Sequence, residues 1–278
     1  MKRFLLYVPI LITLFPSIYA HTLAQPLKAI IIDSCTTLGS QIASNLASQG
    51  YQIYLAVNKP DELNDLCEQF PTQIRATSID ITKIAKARNT IDSLVQQLNG
   101  IDVIIVCTGI CPEEARDNNL KKDGKWKIEK ETLDHNVLGC TALIQKGMLH
   151  FLTQGYGQII VLTSLDVNQS NTQCPSYSAS MAFLSNYISS LQKLCQENKN
   201  SVIITEIRPG PICKDISANA SFWHTPIEVI AYDICQAIEN GSTLVYSSNK
   251  WRIINLIRHY MPEWLYTKLH LPQVHYSR

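Results

Sequence analysis

Glycine is scarce in this chain of 278 residues, with 11 copies where a protein of this length typically carries about 19. Charge is sparse too: Asp, Glu, Lys and Arg make up 17% of the residues, and the formal net charge is +1. So small a net charge creates no broad field for nucleic acid or for acidic substrates, and no nucleic-acid partner is expected. Apolar residues make up an ordinary 46%, enough at this length for a full core without metals or disulfides. Collagen-like and disordered classes are therefore excluded.

Metal-binding spacing is also absent from the sequence. The nine cysteines include no CxxC pair, and no cluster of Cys and His has the spacing of zinc ligands, so no metal site is expected. Their number is odd and many lie in apolar segments, which is typical of buried free thiols. Free thiols favour a reducing compartment.

The N-terminal segment, residues 1–25, favours a different compartment. A basic tip, Met1-Lys2-Arg3, precedes a run over 4–15 that is apolar apart from Thr13, and no Asp, Glu, Lys or Arg occurs between 4 and 27. One interpretation is a secretory signal with its cleavage region at 16–20, and the other is a membrane anchor. Ile18 is a poor match to the small residue required before a cleavage site, which favours the anchor. We therefore expect membrane association through this segment, with export after signal cleavage as the alternative.

The C-terminal segment, residues 251–278, is amphipathic, with apolar side chains at helical spacing and basic residues around them. Pro262 predicts a division into two short helices. Their apolar face either packs on the main domain or lies in a membrane surface. The expected organisation is a signal or anchor over 1–25, one domain over 26–250 and amphipathic helices over 251–278.

Within 28–250, short runs rich in Ile and Val alternate with longer segments of helical periodicity. This alternation predicts strands buried on both faces of a parallel sheet. The expected fold class is α/β, a doubly wound, Rossmann-like parallel sheet in a single domain that follows the N-terminal hydrophobic segment. The predicted strands are 28–32, 52–57, 73–79, 101–106, 158–163, 202–207 and 244–246, and the predicted helices are 38–49, 84–98, 133–153, 177–197 and 227–239. The polar stretch 113–130 predicts a loop and the start of a helix.

Ligands of such folds lie at the carboxyl ends of the strands. Ser164 follows the fifth predicted strand, Tyr177 comes thirteen residues later, and Asn136 lies upstream. The sixth strand is followed by Pro209-Gly210. Together with the alternation of strands and helices, these motifs resemble the short-chain dehydrogenase/reductase family over about residues 28–248.

The resemblance implies a role for each of these polar residues. Tyr177 would be the general acid/base that exchanges a proton with the substrate oxygen, Ser164 would orient that oxygen, and Asn136 would hold a water in a proton relay. In the family, a lysine four residues after the tyrosine binds the cofactor ribose and favours the phenolate. That cation matters because a free tyrosine, with a pKa of about 10, is a poor base at neutral pH. Here Met181 occupies the lysine position, so three of the four roles are filled.

The cofactor loop departs from the family pattern TGxxxGxG. The chain reads Ile32-Asp33-Ser34-Cys35-Thr36-Thr37-Leu38-Gly39, which keeps only the third glycine. In the family the glycines allow a tight turn, close approach to the pyrophosphate and close helix packing. Asp33 adds a carboxylate near the phosphates and Thr37 adds bulk, so we expect weak or absent cofactor binding. Leu38 and Gly39 remain candidate cofactor residues, because N–H groups at a helix N-terminus point towards a bound phosphate.

The resemblance also implies cofactor contacts after the other strands. Asp80 matches an aspartate near the adenine, and Gly109 is the residue kept from the family's NNAG motif. Pro209 and Gly210 form the turn after the sixth strand.

The residues that follow the second predicted strand bear on the choice of cofactor. Asn58 and Lys59 stand there without an acid to bind a ribose 2′-hydroxyl, whereas Lys59 would meet a 2′-phosphate. This favours NADP(H) over NAD(H).

Four further residues have two interpretations each. His135 is a candidate base or an ordinary helix histidine, and Lys214 is a substitute for the missing lysine or a solvated loop residue. Trp223 and His224 fall where family members carry a substrate lid, or they anchor an ordinary loop.

Two functions follow from these features. The first is a membrane-associated oxidoreductase that interconverts a hydroxyl and a carbonyl on a small, apolar, lipid-like substrate with NADP(H). The second is a pseudoenzyme that keeps the fold as a binding or scaffold protein. A homo-oligomer formed through the helices around 133–153 and 177–197 is implied by the family alone.

Overall fold

Ile and Val dominate the strands, because β-branched side chains suit a pleated surface that is buried on both faces. The computed structural model describes residues 26–33, 36–107, 109–110, 122–168, 174–213, 224–248 and 250–253. Within that part of the chain the strands are β1 Lys28–Asp33, β2 Gln52–Val57, β3 Ile74–Ser78, β4 Val103–Cys107, β5 Tyr156–Leu162, β6 Ser201–Arg208, β7 Ile212–Cys213, β8 Thr225–Pro226 and β9 Leu244–Tyr246. The helices are α1 Thr37–Ser48, α2 Asn64–Gln69, α3 Ile84–Leu98, α4 Lys122–Leu133, α5 Cys140–Gln154, α6 Pro175–Glu197 and α7 Ile227–Asn240.

Seven of these strands form one parallel sheet in the order β3-β2-β1-β4-β5-β6-β9. The chain runs outward from β1 to β3, returns past β1 to β4, and continues outward to β9, so the sheet is doubly wound. The predicted fold class is confirmed. In register, Asp33 lies opposite Val57 of β2 and Cys107 of β4, so the carboxyl ends of these three strands meet at one edge.

An apolar layer covers each face of the sheet. One layer includes α3, α5 and α6, with Phe151 and Ile188 fully buried. The other includes α1 and α7, with Ile42 and Ile234 fully buried. These two layers hold the strand ends in place, and polar side chains after the strands therefore have a rigid support.

The helical region before β5 differs from the sequence-based prediction of one helix over 133–153. The structure has α4 up to Leu133, a π-helical turn over Asp134–Gly139, and then α5. The polar stretch 113–130 predicted the start of a helix, and α4 does begin there, at Lys122, but residues 122–131 are too polar for an apolar periodicity to fix its bounds. α5 ends at Gly155, whose φ of 89° allows the left-handed conformation that closes the helix.

Several predictions fall on residues outside the described ranges. The N-terminal segment, most of the C-terminal segment, Lys214 and Trp223 lie there, so the anchor, the signal and the amphipathic helices stay predictions. No helix in the described part of the chain has the length and apolarity needed to cross a bilayer. Free thiols are found at Cys67, Cys107, Cys140, Cys174, Cys195 and Cys235, and all of these except Cys67 are buried.

Candidate active site

Asn136 lies fully buried in the π-helical turn between α4 and α5. Its Oδ1 accepts the backbone N–H of Ile110 at 2.9 Å, and its Nδ2 donates to the carbonyl of Ile110 at 2.9 Å. The same Nδ2 donates to Ser180 Oγ at 3.1 Å. π-helical turns are frequent at functional sites, where they redirect a side chain. This one joins the segment after β4 to helix α6.

The hydrogen bonds of Asn136 continue to the tyrosine. Ser180 Oγ donates to the backbone carbonyl of Tyr177 at 2.7 Å, one turn earlier in α6. The side chain of Tyr177 is 6% exposed and belongs to the apolar layer of α6. Two residues that the sequence predicted to act together are therefore linked through one serine.

Ser164 is fully buried at the point where β5 ends. The 3-10 turn that follows it, Leu165–Asn168, contacts α6, as does the π-helical turn that carries Asn136. The structure thus places Tyr177 in α6, Asn136 on a turn bonded to α6, and Ser164 directly before a turn that contacts α6.

Met181 fills the position where the family carries its lysine. It is 1% exposed and packs in the apolar layer with Tyr177 and Leu184. A Cβ built on Gly109 would lie 3.5 Å from Met181 Cε, so the thioether reaches the backbone after β4. At this position the site has an apolar contact where a cation is expected.

The N-terminus of α1 is occupied by a carboxylate of the chain itself. Asp33 is 2% exposed, and its Oδ2 accepts the backbone N–H of Gly39 at 2.7 Å. A Cβ on Gly39 would lie 2.8 Å from that oxygen, which explains why a glycine is kept there. N–H groups in the first turn of a helix are those that bind a phosphate. Because one of them already binds Asp33, these residues do not fit a dinucleotide pyrophosphate in this conformation.

The predicted contacts to the adenosine half are exposed. Asn58 is exposed, and Lys59 forms an ion pair with Glu62 at 3.3 Å. Glu62 also accepts a long hydrogen bond of 3.4 Å from Thr36 Oγ1. Glu62 approaches Lys59 only through the 3-10 turn Pro60–Leu63, so the sequence alone shows no acid beside this lysine. This carboxylate weakens the argument for NADP(H) over NAD(H).

Asp80 follows β3 and is also exposed. Its Oδ1 accepts the hydroxyl of Thr82 at 2.6 Å and the backbone N–H of Thr82 at 3.0 Å. These hydrogen bonds hold the pKa of Asp80 below its ordinary value. The residue is therefore an anion at neutral pH, at the same sheet edge as Asp33.

The Pro209-Gly210 turn is buried beneath an indole. A Cβ on Gly210 would lie 2.1 Å from Trp251 Nε1, so the turn needs glycine for a contact within the chain. Trp251 begins the C-terminal segment and is 1% exposed. The sequence assigned this glycine to cofactor binding, and the structure supplies a different reason for its presence.

A buried ion pair lies beside this turn and was missed in the sequence. Arg208 donates to both carboxylate oxygens of Glu206 at 2.9 Å, to Ser185 Oγ of α6 at 2.8 Å and to the hydroxyl of Tyr246 at 3.0 Å. Thr163, next to Ser164, donates to Glu206 at 2.7 Å. The sequence did contain a signal for this pair, because Glu206 and Arg208 are two charged residues two positions apart in an otherwise uncharged strand. The pair ties the ends of β5, β6 and β9 to α6.

A cavity of about 510 Å³ lies on the α4 side of Asn136. Burial lowers the pKa of His135, which borders this cavity and whose Nδ1 lies 3.3 Å from Asn136 Oδ1. The histidine is therefore neutral at neutral pH. The cavity is lined by Thr82, Lys83, Ile110, Lys127, Lys130, Glu131, Asp134 and His135.

His224 lies beside the residues that follow β9. The backbone carbonyl of His224 accepts a hydrogen bond from Lys250 Nζ at 3.2 Å, so its segment is joined to the residues after β9. Among the residues that the structure describes, no group of three or more His, Cys, Asp or Glu is placed to hold a metal ion.

A doubly wound parallel sheet, with a serine, a tyrosine and an asparagine gathered at one helix, defines a class of dinucleotide-dependent oxidoreductase folds. The sequence profile of the short chain dehydrogenase family matches residues 28–224. The chain therefore belongs to this family.

Individual relatives agree with that assignment. An uncharacterized oxidoreductase of Staphylococcus epidermidis is 23% identical over 195 residues, which cover 70% of this chain and 81% of that protein. A short chain dehydrogenase from Burkholderia cenocepacia, solved in complex with NADP, superposes with a TM-score of 0.70 at 18% identity and covers 88% of this chain and 99% of its own. A short-chain dehydrogenase from Streptomyces avermitilis superposes with a TM-score of 0.69 at 14% identity and covers 90% and 100%.

Proposed function

We propose that this protein is a hydroxyl/carbonyl oxidoreductase in which Tyr177 is the proton donor and acceptor and Ser164 orients the substrate oxygen. The observation that carries the proposal is the hydrogen-bond chain from Asn136 through Ser180 to the backbone of Tyr177. It fixes the tyrosine relative to the π-helical turn. Catalytic groups need this kind of support, because a small displacement from the reactive geometry greatly lowers the reaction rate.

NADP(H) is the redox partner that we propose, with NADH as the competing form because Glu62 lies beside Lys59. The Burkholderia cenocepacia relative, of the same fold, was solved with NADP. In the direction of carbonyl reduction, the chain's own contribution is a proton from Tyr177 Oη to the substrate oxygen. Asn136 holds the helix that presents this hydroxyl.

The substrate that we propose is small and apolar, and the protein is proposed to act at a membrane surface. Both parts rest on the apolar N-terminal segment and the amphipathic C-terminal segment of the sequence. A lipid-like alcohol or ketone would partition into that surface and reach the enzyme there.

The test uses the full chain with NADPH and NADH as probes. Binding of NADPH below millimolar concentration, weakened by Asp33 at the N-terminus of α1, is expected, together with oxidation of NADPH in the presence of a panel of apolar ketones and aldehydes. Tyr177→Phe should lose turnover and keep cofactor affinity. Tyr187→Phe, a matched change on the same helix, should keep both. A folded wild-type chain that binds neither dinucleotide at millimolar concentration would overturn the proposal.

A second function is favoured by two observations on the cofactor side. Met181 is buried in the lysine position, and Asp33 occupies the N-terminus of α1. Both would suit a pseudoenzyme that keeps the fold as a binding or scaffold protein. The same titration separates the two functions, because the pseudoenzyme would show no turnover with any dinucleotide.

A further inference from the structure

The first turn of α1 has no capping group of the ordinary kind. The side chain of Thr36, the residue before the helix, does not cap it, and the first turn holds no acidic residue. Helix N-termini nonetheless favour a negative charge, because their free N–H groups and the helix dipole both attract one. Asp33, three residues before Thr36, supplies that charge from the end of β1.

The contact between Asp33 and Gly39 is close and buried. The bond from Gly39 N–H to Asp33 Oδ2 is 2.7 Å, and a Cβ on Gly39 would lie 2.9 Å from Asp33 Cβ. The chain between them passes through Thr36 at a φ of 60°, an unusual value for a β-branched residue. Such strain persists where the surroundings hold it in place. The left-handed backbone of Thr36 and the carboxylate of Asp33 therefore lie together at the start of α1.

We infer that Asp33 is the residue that determines whether the N-terminus of α1 takes a dinucleotide. Its carboxylate occupies the place of the pyrophosphate by using the N–H group that would bind it. The mechanism is occupation by a like charge: the carboxylate holds the Gly39 N–H, so we expect NADPH binding to depend on Asp33 and not on the bulk of Thr37. The inference rests on the proposed function, since it names the residue that controls the cofactor in that same site.

The test measures the affinity of the full chain for NADPH by calorimetric titration, and its stability by urea unfolding. Asp33→Ala removes both the charge and the acceptor, and should strengthen NADPH binding by about tenfold or more. Asp33→Asn keeps an acceptor for Gly39 without the charge, and should give a smaller gain. Both variants should be less stable than the wild type without NADPH, because α1 loses its buried anion. If Asp33 had only a structural role, its replacement would not be expected to raise the affinity for NADPH while it lowers the stability of the fold.

Two control variants separate this account from others. Asp65→Asn removes an exposed carboxylate on α2 and should leave NADPH affinity within about twofold. Thr37→Gly removes side-chain bulk and keeps the Asp33 carboxylate, and it should also leave NADPH affinity within about twofold. If Thr37→Gly alone restores binding and Asp33→Asn does not, occupation by Asp33 is the wrong cause.

The outcomes also distinguish this inference from the proposed function. A wild type that binds NADPH at micromolar concentration, with Asp33 variants no tighter, overturns the inference and leaves the function standing. Variants that bind while the wild type neither binds nor turns over support the inference and overturn the function. Folded Asp33 variants that bind neither NADPH nor NADH at millimolar concentration overturn both.

Discussion

The indole Nε1 of Trp251 donates a hydrogen bond to Thr225 Oγ1 at 2.9 Å, and the same ring lies against Gly210. Three segments meet at this point: the turn after β6, the strand β8 and the residues after β9. The segment that follows the turn is the one in which family resemblance places a substrate lid. Trp251 therefore joins Gly210 and Thr225, on either side of that segment, to the residues after β9.

Substituting Gly210 with alanine should destabilise the fold because of Trp251. Gly210→Ala places a methyl group against the indole. Trp251→Ala removes a fully buried ring, which should cost about 3–5 kcal/mol in the free energy of unfolding. The alanine at 210 should cost much less once the ring is gone, so the double variant should be more stable than the sum of the singles predicts. Urea unfolding measures all three. Ile253→Ala, at a position 59% exposed, is the control and should change little.

The strands and most helices were predictable because their signals are local. β2, α3 and β9 match their predicted bounds, since runs of Ile and Val, or a clear helical periodicity, fix them without reference to the rest of the chain. The start of α4 was predicted only to within the polar stretch 113–130, and the π-helical turn was missed. A π-helical turn depends on where the side chain of Asn136 finds partners across space, and no local pattern encodes that.

The candidate site was predictable in its residues but less so in its contacts. Spacing placed Ser164, Tyr177 and Asn136 together, because the carboxyl ends of parallel strands share one edge. The bond from Gly39 to Asp33 and the indole over Gly210 were not predictable. Both contacts join segments that are brought together by packing. Both also give the glycine a role within the chain that differs from the cofactor role implied by the family.

Placing a lysine at position 181 should destabilise the protein. Met181 is 1% exposed in an apolar layer, and an unpaired ammonium there should cost about 3 kcal/mol or more, whereas Met181→Leu should cost less than about 1.5 kcal/mol. Burial lowers the pKa of a lysine below its unfolded value of about 10.4, so the loss should be full near neutral pH and should shrink as the pH rises towards that value. Urea unfolding at several pH values measures this. A Met181→Lys chain as stable as the wild type at neutral pH would mean that the side chain has a route to solvent beside Gly109.

Stability should fall on mild acidification because of His135. Burial lowers its folded pKa below the unfolded value of about 6.5, so the unfolded chain binds the proton first, and stability is lost as the pH falls from about 6.5 towards the folded pKa. Asn136 and Asp80 oppose this shift without reversing it. His135→Phe should flatten the dependence of the unfolding free energy on pH between about pH 7.5 and about pH 5.5. The same substitution at the partly exposed His150 provides the comparison, and an unchanged slope in His135→Phe would contradict the assignment.

Breaking the Glu206–Arg208 pair should cost more than removing it. The two side chains are 6% and 13% exposed and are joined by two hydrogen bonds. Burial disfavours the charge on Arg208, but its bonds to Glu206 raise its pKa above the ordinary value, so it stays a cation. Glu206→Gln keeps the shape and leaves that cation unpaired, which should cost about 3–5 kcal/mol in the free energy of unfolding. The double change Glu206→Leu with Arg208→Met should cost less than the two single changes together, because neither charge remains.

The exposed pair Lys59–Glu62 is the matched comparison for this cycle, and its coupling energy should be below about 1 kcal/mol. Because Thr163 donates to Glu206 beside Ser164, loss of the pair should also loosen the end of β5. Amide hydrogen exchange of Thr163, whose N–H bonds to the carbonyl of Ile207 at 2.9 Å, would report that loosening directly. Two results would show that the network does not hold this edge of the site. One is unchanged protection of the Thr163 amide in Glu206→Gln, and the other is a loss of unfolding free energy in Glu206→Gln no larger than that from breaking the exposed pair.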